Sequence, residues 1–203
     1  MLISLCAHIT DRCIAAMSLS PAKSEILATM LLLDKPERAT QIAKETGKEF
    51  PSVMMHVIGL ARMGYATSPE KGLYTLTEKG RKALGIPEIN SENAKTMLAD
   101  MPQDKAFNFY AGLGKPLSLQ ARGLRDFCDK IPKVNSDAID FHMSRGDFES
   151  WFAGIGDVEL AKKAALLKEK KMVGEELRAR LQNIVTKRCM ALANVAGHAV
   201  SPE

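Results

Sequence analysis

The chain has 203 residues, enough for one large domain or two small ones. Apolar residues make up 46 % and can bury a sizeable core, while aromatics at 5 % with one Trp argue against stacking platforms for single-stranded nucleic acid. Lys and Arg number 28 against 24 Asp and Glu, and the net charge of +4 permits a nucleic-acid partner without demanding one. No apolar run approaches the ~18 residues of a transmembrane helix, and the opening residues lack a basic leader and are broken by His8, Asp11 and Arg12. Cys6, Cys13, Cys128 and Cys189 are scattered and include no Cys-x-x-Cys pair. That spacing supports neither a zinc site nor a disulfide framework, and it points to reduced thiols in a cytoplasmic protein.

Residues 1–16 carry no turn signal joining them to the helix that begins near Ser20, and they are expected to be a dispensable N-terminal extension that need not be ordered. The first domain is placed at 17–88. Ser20-Pro21 starts a helix, with Ser as the cap and Pro in the first turn. Ile26, Leu27, Met30, Leu31 and Leu33 supply its apolar stripe up to Asp34. A second, shorter helix begins at Thr40, carries Ile42 and Ala43, and ends at Gly47. A third begins near Pro51 or Ser52, with Val53, Val57 and Leu60 at i, i+4 and i+7, and Gly64 closes it. Residues 65–68 and 73–76 read as two short strands joined by Pro69-Glu70-Lys71-Gly72, a hairpin. Thr77 caps a helix from Glu78 to Leu84, and Gly85-Ile86-Pro87 breaks the chain.

Three helices followed by a hairpin resemble the winged helix-turn-helix of transcriptional regulators. Thr40-Gln41-Ile42-Ala43-Lys44 is similar to the start of a positioning helix, and residues 52–65 to a recognition helix running into the wing. Tyr74-Thr75-Leu76-Thr77-Glu78-Lys79-Gly80 is similar to the Y-x-L-T-x-x-G close of the wing in MarR- and ArsR-like proteins. The resemblance covers about residues 18–85. It implies a third helix in the major groove of double-stranded DNA, with Ser52, Met55 and His56 outward. Lys44, Lys48, Arg62 and Lys71 are then the phosphate contacts, which position a protein without reading sequence. The outward face departs from the usual pattern, because no Arg, Lys, Asn or Gln occurs between residues 51 and 61. Met54, Met55 and Ile58 offer only apolar contacts. A winged helix that contacts protein and does not read DNA is the alternative.

Residues 89–203 read as an all- or mostly-helical sensing or dimerising domain. Ser91 caps a helix through Ala99. Residues 106–110 are an aromatic run compatible with a strand or a helical turn. Ser118 opens a helix bearing Leu119, Leu124, Phe127 and Ile131, which Pro132 ends. Asn135-Ser136 caps the next, with Ile139, Phe141, His142 and Met143 on it. Arg145-Gly146-Asp147 reads as a helix–helix corner in which Asp147 caps the following helix, Arg145 pairs with Asp140 or Glu149, and Trp151 is buried. Gly156-Asp157 starts a helix with Val158, Leu160, Ala161, Ala164 and Leu167 inward. The last helix, after Gly174, carries a stripe at Leu177, Leu181, Ile184, Val185 and Leu192 that fits either its own core or a homodimer interface. Arg180, Lys187 and Arg188 suit its final turns.

Residues 141–151, Phe-His-Met-Ser-Arg-Gly-Asp-Phe-Glu-Ser-Trp, resemble the centre of a mainly archaeal helical domain family over roughly residues 95–190. The family has no assigned chemistry to carry over. His142, Arg145, Asp147 and Trp151 are read as a structural hub, with an effector or anion pocket as the competing reading. No Ser/His/Asp arrangement, Gly-rich phosphate loop or His-Glu-x-x-His motif occurs. The expectation is therefore a mainly α protein that is not an enzyme and needs no metal or cofactor.

Overall fold

The computed structural model describes residues 19–197. The expected extension at 1–16, with Cys6 and Cys13, and the last residues of the tail lie outside the described residues. The protein is mainly helical and divides into two units between Glu88 and Ile89. No helix among the described residues is long and apolar enough to cross a membrane.

The first unit begins with α1 (Pro21–Leu33). Ser20 Oγ accepts the Lys23 amide, and Pro21 occupies the first turn. β1 (Glu37–Arg38), α2 (Ala39–Thr46) and α3 (Phe50–Arg62) come next, then β2 (Ala66–Thr67), β3 (Leu73–Leu76) and α4 (Glu78–Ala83). One apolar core joins Ile26, Leu27 and Met30 of α1, Ile42 and Ala43 of α2, Val53, Val57 and Leu60 of α3, and Tyr65 and Ala66.

The hairpin pairs Ala66 with Leu76 and Thr67 with Thr75. A third strand is absent from the expected elements: β1 pairs antiparallel with β3, Glu37 opposite Tyr74 and Arg38 opposite Leu73, and the sheet order is β1-β3-β2. A two-residue strand with charged side chains carries no periodicity, so only its partner reveals it.

Thr77 joins the hairpin to α4. Its hydroxyl accepts the Gly80 amide at 3.1 Å and donates to the Gly64 carbonyl at 2.7 Å. Gly80 is required by contact: a Cβ there would lie 2.2 Å from the Tyr65 carbonyl oxygen. The last glycine of the Tyr74–Gly80 motif thus marks where α4 is pressed against the backbone leaving α3.

The second unit comprises α5 (Ser91–Leu98), β4 (Phe107–Tyr110), β5 (Pro116–Ala121), α6 (Leu124–Lys130), α7 (Ser136–Arg145), α8 (Asp147–Ile155), α9 (Val158–Glu169) and α10 (Gly174–Val195). The cap of α5 is Asn90, one residue earlier than expected; its side chain accepts the Asn93 amide at 2.8 Å. The aromatic run is a strand, alternating buried Phe107 and Phe109 with outward Asn108 and Tyr110.

Residues 116–121 form a strand and not the start of a helix. Ala121 pairs with Phe107 and Gln120 with Asn108. The apolar residues of that segment match both periods. The unpaired edge of β4 decides between them, and the helix begins only at Leu124.

α10 packs against α5, α6, α7 and α9. Its stripe at Leu177, Leu181, Ile184, Val185 and Leu192 is buried inside its own chain. Val158, expected inward, is exposed.

Arg188 is also buried. Its Nε donates to Asp157 Oδ2 and its Nη1 to Glu159 Oε2, both at 2.7 Å. Glu159 Oε1 in turn accepts Lys163 Nζ at 2.8 Å. Two acids and two bases therefore balance inside the unit, joining the start of α9 to α10.

Two substitutions test these constraints by denaturant unfolding of the full chain. Gly80→Ala drives a methyl into a backbone carbonyl and is expected to cost the first unit about 2–3 kcal/mol. Arg188→Leu leaves buried carboxylates without their partner and is expected to cost the second unit roughly 3–5 kcal/mol.

Candidate functional site

The first unit presents α3 with its two faces separated. Val53, Val57 and Leu60 are buried. Ser52, Met55, His56 and Gly59 succeed one another at helical spacing on the opposite side, with Arg62 exposed at the end of that face. Met55 is 63 % exposed, and Phe50 at the helix start is 46 % exposed. Lys44 is exposed in the last turn of α2, and Lys71 is exposed in the turn between β2 and β3. Lys48 is engaged differently from expectation: its ammonium lies 3.0 Å from the Glu25 carboxylate.

Sequence reasoning missed Lys23. It lies on α1, yet its ammonium reaches across to donate to Met63 Sδ at 3.6 Å, and its side chain passes beside Gly59. Only the crossing of α1 over α3 brings it there. Lys79 is occupied, donating to the Met63 carbonyl at 2.9 Å and lying over the Tyr65 ring.

The second unit gathers His142, Arg145, Asp147 and Trp151 at the junction of α7 and α8. Gly146 turns the corner with φ +76°, a left-handed conformation that glycine adopts without a Cβ clash. The junction differs from expectation in three ways. Asp147 does not cap α8; its Oδ2 accepts His142 Nδ1–H at 2.7 Å and Arg145 Nε–H at 3.2 Å. Asp140, an expected partner of Arg145, instead accepts the Gly174 amide at the start of α10, while Glu149 lies 3.5 Å from Lys168. Trp151 is half-buried, with its indole N–H donating to the Lys105 carbonyl at 3.0 Å.

His142 is only 3 % exposed and spans three elements. Its Nε2 accepts the Tyr110 amide at 2.8 Å, so that nitrogen is unprotonated and the proton sits on Nδ1, facing Asp147. Burial pushes the imidazole below its ordinary pKa of 6.5, against the upward pull of Asp147. Both ring nitrogens are therefore engaged within the protein. Among the described residues no group of three or more His, Cys, Asp or Glu side chains could hold a metal ion.

Behind the imidazole lies an aromatic cluster. Phe107 stacks on Phe148 at 5.1 Å and meets His142 edge-on at 4.9 Å, and Phe127 packs against Trp151 and Phe152. In front of it is a cleft of about 370 Å³, bordered by Asn108, Tyr110, Leu113, Phe141 and Arg145. The Arg145 side chain is 49 % exposed, and its guanidinium lies 5.3 Å from the Phe141 ring centre. The cleft therefore offers aromatic walls and one cation already partly neutralised by Asp147.

Comparison with known protein families, with curated proteins and with solved structures returned no match.

The state of His142 sets a pH dependence. A histidine whose folded pKa is depressed takes up its proton more readily when unfolded, so its contribution is complete above about pH 6.5 and is lost as pH falls below that value. Melting temperature followed from pH 8 to pH 5 should fall for the wild type. The His142→Gln variant, less stable at pH 8, should show a shallower decline below pH 6.5.

Proposed function

We propose that the chain is a cytoplasmic DNA-binding transcriptional regulator, with a winged helix in its first unit and a helical sensing or dimerising domain in its second. The observation that carries the reading is the setting of α3. Its apolar side is locked into the core by Val53, Val57 and Leu60, so Ser52, Met55, His56 and Arg62 are directed outward. The order helix, strand, helix, helix, strand, strand, with β1 added to the edge of the hairpin strand β3, supports it. In this reading α3 enters the major groove and Lys71 at the hairpin turn meets the backbone alongside. Lys23, Lys44 and Arg62 add phosphate contacts around the same helix.

Readout is weak on this account. Ser52 and His56 can hydrogen-bond to base edges, and Met55 can meet a thymine methyl, but before Arg62 at its end no side chain on this face makes the bidentate contacts that discriminate bases best. The exposed Phe50 and Met55 support a second reading, in which the same face docks on a protein and no DNA is bound.

In the second unit, the cleft in front of His142 supports a sensing role and Arg145 is the residue that would meet an anionic effector. A homodimer, if formed, uses a surface other than the buried stripe of α10.

Fluorescence anisotropy with duplex DNA over a salt series separates the two readings of the first unit. DNA binding predicts a steep log–log salt dependence that flattens by about one unit in each of Lys44→Ala, Arg62→Ala and Lys71→Ala. Lys48→Ala, already paired with Glu25, should change the slope least. Absence of binding at low salt would leave the protein-docking reading standing.

A further inference from the structure

Cys128 on α6 and Cys189 on α10 are 61 residues apart in sequence, yet their sulfurs face each other at 3.9 Å. Thr186, one turn before Cys189 on α10, donates its hydroxyl to Cys128 Sγ at 3.7 Å. Either sulfur can donate across the pair, but the Thr186 hydroxyl donates to Cys128 and so marks that sulfur as the acceptor side. Both cysteines are free thiols, and both residues are half-buried.

We propose that Cys128 and Cys189 form a reversible redox site, in which Cys128 is the nucleophile toward a hydroperoxide and Cys189 the resolving thiol. The two sulfurs play unequal parts. The Cys189 S–H bond holds the Cys128 thiol below its ordinary pKa, outweighing burial and helped by Thr186. The same contact with Cys128, together with burial, pushes the Cys189 thiol up.

The chemistry balances in two steps. The Cys128 thiolate attacks the distal oxygen of ROOH; the S–O bond forms, the O–O bond breaks, and RO⁻ leaves as ROH after taking a proton. The Cys189 sulfur then attacks the Cys128 sulfenic acid; the S–S bond forms, the S–O bond breaks, and the departing hydroxide takes the Cys189 proton to leave as water. Overall, two thiols and one hydroperoxide give one disulfide, one alcohol and one water.

A disulfide of about 2.05 Å requires the sulfurs to close by roughly 1.9 Å, which side-chain rotation and movement of α6 against α10 have to supply. The resulting bond closes a loop containing α7, α8 and α9, and with them the Phe141, His142 and Arg145 side of the cleft. Oxidation therefore staples the unit that holds the candidate sensing site. The proposal stands on the thiols alone and does not depend on DNA binding.

The test uses the full chain carrying Cys6→Ser and Cys13→Ser, with the wild type alongside. With stoichiometric hydrogen peroxide, both thiols should be lost within one chain. Mass spectrometry of the digest should find the Cys128 and Cys189 peptides joined, and dithiothreitol should reverse the link. The melting temperature of the oxidised chain should rise by about 5 °C or more. In a Cys189→Ser chain, dimedone should trap a sulfenic acid at Cys128, while in a Cys128→Ser chain Cys189 should stay reduced at the same dose. Peptide mapping of the oxidised wild type needs no variant at the pair and guards against misfolding. The proposal is overturned if the thiols survive a dose that consumes glutathione, if only links between chains form, or if Cys128 passes to sulfinic acid with no internal disulfide.

Discussion

A charge-balanced quartet inside the second unit holds α9 to α10, and the rest of that unit is arranged around it. Asp157, Glu159, Lys163 and Arg188 are all buried, at separations of 2.7–2.8 Å along the chain of contacts. Asp157 has a second task, accepting the Leu160 amide as the cap of α9. Any one of these charges would be costly alone in the interior; together they balance one another. Because α10 also packs against α5, α6 and α7, fixing it against α9 fixes the partner of nearly every other helix in the unit. The facing of Cys128 and Cys189, and the anchoring of Gly174 by Asp140, result from where α10 lies.

The first unit rests on a smaller constraint of a different kind. α4 approaches the backbone at Tyr65 so closely that only glycine fits at position 80, and Thr77 binds both sides of that contact. This closure joins the end of the hairpin to the end of α3. It fixes the hairpin against the end of α3, whose outer face is set by the burial of Val53, Val57 and Leu60. The proposed DNA contacts are thus a consequence of packing behind the helix, not of an unusual charge density on it.

The corner at Gly146 shows how a dense polar group can be structural. His142, Arg145 and Asp147 suggest chemistry by composition alone, but the imidazole has a donor on one side and an acceptor on the other. It works as a cross-brace between β4, α7 and α8. What remains available to a ligand is the exposed part of Arg145 and the aromatic wall before it.

Most of the helices, and the corner itself, were legible because their signals are local. Ser20, Thr77, Asn135 and Gly146 stop or start helices through bonds within a few residues, and the stripes of α1, α3 and α10 report burial by period. Features decided by a distant partner were not legible. β1 exists because β3 lies beside it, and residues 116–121 are a strand because β4 offers an edge. Arg188 is an interior residue because Asp157 and Glu159 await it 31 and 29 residues earlier. Asp147 gave up the cap of α8 to a histidine five residues back, since a buried imidazole N–H must be satisfied. Where most of the helices run, and the apolar faces of α1, α3 and α10, can be read from the chain alone, since both depend on residues a few positions apart. Which charges are buried, which thiols meet and where Lys23 points are settled by folding, because each depends on residues that only the folded chain brings within a few ångströms.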